Sequence, residues 1–232
     1  MKGSFTQEKE MRAIVYGWLK EQGLTVESEF AVPWGICDLV GISLNNKNIA
    51  RRLKNGQTKS MASISKISIF REIPDDKSGH SIRLDTLYRN YSKYLSSSDI
   101  LRVINQLKRD GFIFSTRRNH YQSLNGWIPL YKRIVAVELK LNRIKDVLLQ
   151  AKSNTSFATE SYAAFPLEVA DRISKSNRIR EFIDNGVGII SVTSNQCEMI
   201  LKASPKSLDA DNNMRFYCAE HFWRKFIKDN ET

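Results

Sequence analysis

Cysteine is scarce in this chain and poorly placed for cross-linking. Cys37, Cys197 and Cys218 are odd in number and far apart, which excludes a disulfide framework and leads to the expectation of a reducing compartment, the cytoplasm. Histidine is equally thin: His80, His120 and His221 lack ligand spacing, and no Cys-X-X-Cys occurs. A zinc centre is therefore not expected, and a metal, if used, should be a hard cation held by oxygens. No apolar run approaches the length that spans a bilayer, so no membrane association is expected. The segment from Met1 to Glu10 carries acids and no apolar stretch, unlike a secretory signal. Internal repeats and low-complexity runs are lacking too. A hydrophobic content of 41% over 232 residues is ordinary for one or two globular domains, which argues against disorder.

What the chain has in excess is positive charge, and the excess is local. Between Asn45 and Lys132 there are 17 Lys and Arg against 6 Asp and Glu, a balance of +11 that equals the net charge of the whole protein. The flanking sequence is therefore neutral. One internal block facing a polyanion explains this better than general solubility does, although solvated lysines alone would also produce a basic segment.

Periodicity divides the chain the same way. Thr6 to Gln22 reads as a helix with Met11, Ile14, Val15, Trp18 and Leu19 on one face, stopped by Gly23. Strands are predicted over Thr25 to Val32 and Ile36 to Ser43, joined by a Pro33-Trp34-Gly35 turn. After the basic block come a strand from Ile134 to Leu141, a helix from Arg143 to Phe157 and a strand from Ser161 to Phe165. Helix from Leu167 to Ile183, interrupted near Ser174 to Asn177, then leads to a strand at Val187 to Val192 with Cys197 to Lys202 as its hairpin partner. Pro205 to Asn213 reads as a linker, and Met214 to Lys228 as a packing helix. The expected fold class is α/β with a central mixed sheet flanked by helices, residues 1–44 and 133–232 forming a core interrupted by the basic insertion 45–132.

Within the insertion, Met61 to Arg71 and Leu84 to Tyr91 read as short helices. Ser97 or Ser98 is placed to cap a third, Asp99 to Arg109, which ends at Gly111. Ile100, Val103, Ile104 and Leu107 form its apolar stripe. Arg102, Asn105, Gln106 and Arg109 form a second stripe, and these are side chain types suited to bidentate contacts with base edges. A hairpin with a basic tip is expected from Phe112 to Leu130, carrying Arg117 and Arg118. This succession resembles a winged-helix domain over about Ser60 to Tyr131. The resemblance implies duplex DNA as partner, with Asp99 to Arg109 in the major groove and Arg117 and Arg118 on phosphates. Such domains also mediate protein contacts.

Chemistry concentrates in the neutral part. In Glu138-Leu139-Lys140, strand alternation turns Glu138 and Lys140 to one side, a carboxylate beside an ammonium. Taken alone this is also how a solvated ion pair on a strand looks. Asp38 lies among Ile36, Cys37, Leu39 and Val40, where a bare charge is costly unless compensated, either by a cation shared with Glu138 or by a wet strand end or a lysine. Glu10 is placed near the core end of the first helix, and Glu8 is read as the more solvated of the two.

Glu10 on a first helix, Asp38 on a second strand, Glu138-Leu139-Lys140 on a third, and Gln150 on the following helix resemble the PD-(D/E)XK nuclease superfamily. Cys37 replaces the Pro of the family name, and the insertion lengthens the interval from Asp38 to Glu138. The resemblance implies a restriction endonuclease-like core. It implies Mg²⁺ or Mn²⁺ held by Asp38, Glu138 and the Leu139 carbonyl, with Lys140 and Gln150 at the attacking water or phosphate and Glu10 on a second metal or on Lys140. The expectation is a Mg²⁺-dependent DNA endonuclease, with a two-fold dimer if both strands are cut. The alternatives are a catalytically silent DNA-binding regulator on the same scaffold, an RNA-processing nuclease, or an adaptor for other proteins.

Overall fold

The computed structural model describes residues 5–61, 63–205 and 213–230. The first elements are helix α1 (Glu8–Glu21), strands β1 (Thr25–Val32) and β2 (Gly35–Leu44), and helices α2 (Asn46–Lys54) and α3 (Ile64–Glu72). Strand β3 (Ile82–Arg83), helices α4 (Leu84–Tyr91) and α5 (Ser97–Arg109), and strands β4 (Ile113–Arg117) and β5 (His120–Ser123) follow. Then come β6 (Tyr131–Leu139), α6 (Ile144–Asn154), β7 (Glu160–Pro166), α7 (Leu167–Ser174) and α8 (Ile179–Asn185). Strands β8 (Gly188–Val192) and β9 (Cys197–Leu201) and helix α9 (Asn213–Asn230) complete the order. The chain divides into two compact units, residues 1–44 with 131–215 and residues 45–130 with 216–232.

The first unit is α/β, with a mixed six-stranded sheet in the order β1-β2-β6-β7-β8-β9. The strands β1, β2 and β6 run as an antiparallel meander, β6, β7 and β8 are parallel, and β9 turns back antiparallel. Strand alternation sends Val135, Val137 and Leu139 to one face, where Met11, Val15 and Leu19 of α1 cover them. Ala163, Phe165 and Ile189 face the other way and are covered by Ile144, Val147 and Ala151 of α6 and Ala170 and Ile173 of α7. Each fully buried aliphatic side chain contributes about 1.5–3 kcal/mol, so the two stripes fix both helix layers on the sheet. The interruption expected near Ser174 is present as the break between α7 and α8.

The second unit pairs helices with a three-stranded sheet in the order β3-β5-β4. Ile100, Val103, Ile104 and Leu107 bury the inner face of α5. The Ser96 hydroxyl, not Ser97 or Ser98, caps this helix by accepting from the Asp99 amide at 3.1 Å. The hairpin is shorter than expected: β4 and β5 pair up to Arg117 opposite His120, and Trp127 to Leu130 form no strand. Asn119, at φ +58°, closes the tight turn that exposes Arg118.

The second unit begins at Asn45, whose side chain accepts from the Asn48 amide and caps α2, a helix not expected from the sequence. One further expectation is corrected. From Phe216 onward α9 belongs to the second unit, not to the sheet-bearing core: Phe216 packs on Trp127 with ring centroids 4.3 Å apart. Most of the linker expected at Pro205 to Asn213 lies outside the described residues. No described helix is long and apolar enough to cross a membrane, and Cys37, Cys197 and Cys218 form no disulfide.

Candidate active site

Antiparallel pairing sets Leu39 opposite Val137, and the next step of that ladder brings Asp38 beside Glu138. A hundred residues apart in sequence, the two carboxyls become neighbours at the same end of β2 and β6. One Asp38 oxygen accepts from the Leu139 amide at 2.8 Å, and the other lies 3.5 Å from the Arg12 guanidinium on α1. Arg12 in turn binds Glu29 at 2.7 Å. Glu138, only 3% exposed, accepts from the Asn154 amide of α6 at 2.7 Å. The same Asn154 nitrogen lies 3.4 Å from the Cys37 sulfur beneath the pair.

Burial pushes the Glu138 carboxyl up to about 7, and the charge of Asp38 and a hydrogen bond shared with it push the same way. Hydrogen bonds from Asn154 and Cys37 oppose the rise without cancelling it. The Cys37 thiol is itself raised well above its ordinary value, first by burial and then by the charge of Glu138, so it sits in the site as a neutral group.

With a folded value near 7 against an ordinary 4.5, the folded carboxyl keeps a proton that the unfolded chain has lost between those limits. The stability owed to neutral Glu138 is whole below about pH 4.5 and is lost as pH rises through about 7. In metal-free buffer, Glu138→Gln is expected to match the parent near pH 5 and to exceed it at pH 8 by on the order of 2–3 kcal/mol, read from urea unfolding. A constant difference between the two pH values would contradict the raised carboxyl.

Lys140 follows the last residue of β6, and its ammonium folds back over the strand end. It donates to the Leu139 carbonyl at 2.9 Å and to Glu8 of α1 at 3.2 Å, and the side chain is nearly buried. Asp38, Glu138, Leu139 and Lys140 therefore lie at one end of the sheet. Contrary to the expectation from strand alternation, Glu138 and Lys140 do not turn to one side: Glu138 reaches Asn154 of α6, and Lys140, past the end of β6, reaches Glu8 of α1. Glu10 does not join them. It is exposed and turns back to accept from the Thr6 amide and hydroxyl, both at 2.8 Å, which pull its carboxyl below the ordinary value. Glu8, two residues earlier, is the acid that α1 brings to Lys140. Gln150 is exposed and lines, with Glu138, Asn154 and Trp34, a groove of about 280 Å³. The direct hydrogen bond to Glu138 comes from Asn154, one helical turn further along α6.

Sequence reasoning thus placed Glu10 ahead of Glu8 and missed Arg12 and Asn154. Spacing held the signal: Arg12 is four residues after Glu8, and Asn154 four after Gln150, each on the same helix face as a residue already under consideration.

Two side-by-side carboxyls, the Glu138 one raised chiefly by burial and further by the Asp38 charge, are a donor set that fits a hard divalent cation. Among the described residues no three His, Cys, Asp or Glu side chains converge, so the protein offers two carboxylates and a main-chain oxygen.

In the second unit, Arg102, Asn105 and Arg109 are exposed on α5 and Gln106 is half-buried; together they line a shallow depression. Arg102 is held by Asp99 at 2.6 Å. Arg117 lies 3.0 Å from the His120 ring, and Arg118 is exposed at the turn.

No protein-family model matches the chain, and no curated protein does. Among solved structures, the SPO1766 protein of unknown function from Silicibacter pomeroyi is similar, with a TM-score of 0.44 and 10% identity over 99% of this chain and 96% of that one.

Proposed function

We propose that the protein is a Mg²⁺-dependent DNA phosphodiesterase, an endonuclease whose sheet-bearing unit is a PD-(D/E)XK core and whose basic unit is a winged helix that docks on duplex DNA. The observation that carries this reading is the pairing of Asp38 with Glu138 beside Lys140, brought together by β2 and β6. The antiparallel meander β1-β2-β6 continued by parallel β7 supports the core assignment. The order helix, strand, two helices and hairpin, with β5 between β3 and β4, supports the winged helix. The basic balance of residues 45–132 supports a polyanionic partner.

Asp38 and Glu138 would hold the cation, with the Leu139 carbonyl as a neutral ligand. Bound there, Mg²⁺ lowers the pKa of a water and offsets charge on the phosphate. The protein supplies the rest. Arg12 and the Leu139 amide keep Asp38 aimed, while Asn154 fixes the rotamer of Glu138. Lys140, oriented by Glu8, presents a positive charge to an anionic phosphate in a largely desolvated corner, where such a charge counts for most.

Supercoiled plasmid incubated with the purified protein and Mg²⁺ or Mn²⁺ is expected to give nicked and then linear product, with none in EDTA. Intact plasmid under every divalent cation would sink the enzyme reading. Arg12 near Asp38 favours one rival, a silent scaffold that binds DNA, because a guanidinium partly meets the charge a cation would meet. Salt-sensitive duplex binding without nicking would select it.

A further inference from the structure

A cleft of about 670 Å³ opens in the second unit between residues 58–66, the end of α5 and the later turns of α9. Its lining is strongly basic, with Lys59, Lys66, Arg109, Arg224 and Lys228 against Asp110 as the one acid. That acid is already matched: the Lys66 ammonium donates to Asp110 at 2.8 Å, in an ion pair that is largely buried. Lys59 and Arg224 have no acidic partner among the described residues, and Arg109 approaches Asp110 only at 3.9 Å. Lys59 and Arg224 therefore bring to the cleft positive charge that no described acid meets.

The walls are tied in place by bonds that do not involve those cations. The Trp223 indole donates to the Thr58 carbonyl at 3.1 Å, and the Ser60 hydroxyl to the Glu220 carbonyl at 2.8 Å. The Met61 amide donates to the Glu220 carboxylate at 2.8 Å, and Arg52 to the Lys59 carbonyl at 2.9 Å. A site held open before its ligand arrives loses less conformational entropy on binding.

Two features choose the ligand. Among its described lining residues the cleft has no aromatic ring and Ile227 as its one large apolar side chain, so a nucleobase would find nothing to stack on. Gln106 and Arg109 line both this cleft and the depression on the outer face of α5, so the two surfaces are continuous. We propose that the cleft is a phosphate-backbone site for the same DNA duplex that α5 faces, extending the contact from α5 onto Lys59 and onto Arg224 of α9. This inference rests on the DNA-binding reading of the basic unit and adds the C-terminal helix to it.

Anisotropy titrations of a fluorescent duplex across a salt series test it, using the parent protein, Lys59→Ala/Arg224→Ala and Arg102→Ala. The double variant is expected to weaken binding by a similar factor on unrelated sequences and to reduce the slope of log K against log salt by about 2. Should the double variant keep the parent's affinity and slope while Arg102→Ala weakens binding, the cleft is not on the DNA path and the docking reading survives. Absence of duplex binding by the parent even at low salt would overturn both. Calorimetry with inorganic tripolyphosphate closes the remaining route: binding lost in the double variant, with duplex affinity untouched, assigns the cleft to a small anion and overturns the inference.

Discussion

Lys140→Ala is expected to lower the rate of Mg²⁺-dependent cleavage by about 10²–10³-fold while leaving duplex affinity and folding close to those of the parent. The ammonium lies 2.9 Å from the Leu139 carbonyl and 3.2 Å from Glu8, at the same strand end as the Asp38 and Glu138 pair. Its removal takes a preorganised positive charge from a corner with little water to replace it. The fold loses little, because the Glu8 side chain is 34% exposed and can be hydrated when its partner goes. Duplex affinity is expected to hold because the proposed docking residues Arg102, Asn105, Arg117 and Arg118 are all in the second unit. Glu8→Gln supplies the graded control: it keeps an acceptor for Lys140 but removes the charge that orients it, so its loss should be smaller. Rates measured by plasmid nicking under single-turnover conditions check both. Parent-like cleavage by Lys140→Ala would remove this lysine from the chemistry and most of the case for the site.

How much of this was legible beforehand depended on the kind of signal. Strand alternation is short-range and strong, so the burial of Leu39 and Leu139 and the chemical character of Asp38, Glu138 and Lys140 could be read directly. Their meeting across a hundred residues could not be computed from spacing; it needed the pairing of β2 with β6. The choice of Glu10 over Glu8 failed for a local reason. Glu10 is the third residue of α1 and folds back to the Thr6 and Gln7 amides, the behaviour of a capping carboxylate, so the Thr6-to-Glu10 stretch spelled a helix start. Helix α2 was hidden because its inner face carries Arg52 where a hydrophobic pattern would require an apolar residue. The stripe of α9 was visible, but periodicity says that a face is buried, not against what. The partner of that face is the aromatic and charged interior of the second unit.

That interior gives the largest stability effect expected in the molecule. Arg52, 2% exposed, engages Glu220 through both terminal guanidinium nitrogens, one of them at 3.0 Å, and donates to the Gln57 carbonyl at 3.1 Å. Its guanidinium lies 5.0 Å from the rings of Phe112 and Trp223, which sandwich the charge with two π-faces. Arg52 is thus compensated by Glu220, by the Gln57 carbonyl and by two rings, but only Glu220 brings a full opposite charge. Glu220→Ala would leave an arginine that cannot shed its proton enclosed among aromatic rings, and would also orphan the Met61 amide. The expected cost is about 3–5 kcal/mol, read from urea unfolding followed by tryptophan fluorescence. Glu220→Gln should cost less, since an amide oxygen can still accept from Met61 and from one guanidinium nitrogen. Arg52→Met combined with Glu220→Leu should recover much of the loss, because removing both charges together leaves no unpaired ion. If Glu220→Ala cost under about 1 kcal/mol, water would have to reach Arg52 and the interior described here would be wrong. The same variant links stability to recognition. The Glu220 carboxylate accepts from the Met61 amide, so its loss is expected to loosen α9 from the 58–66 wall, leaving only the Ser60 bond to the main-chain carbonyl of residue 220, and to weaken duplex binding at temperatures where the protein is still folded.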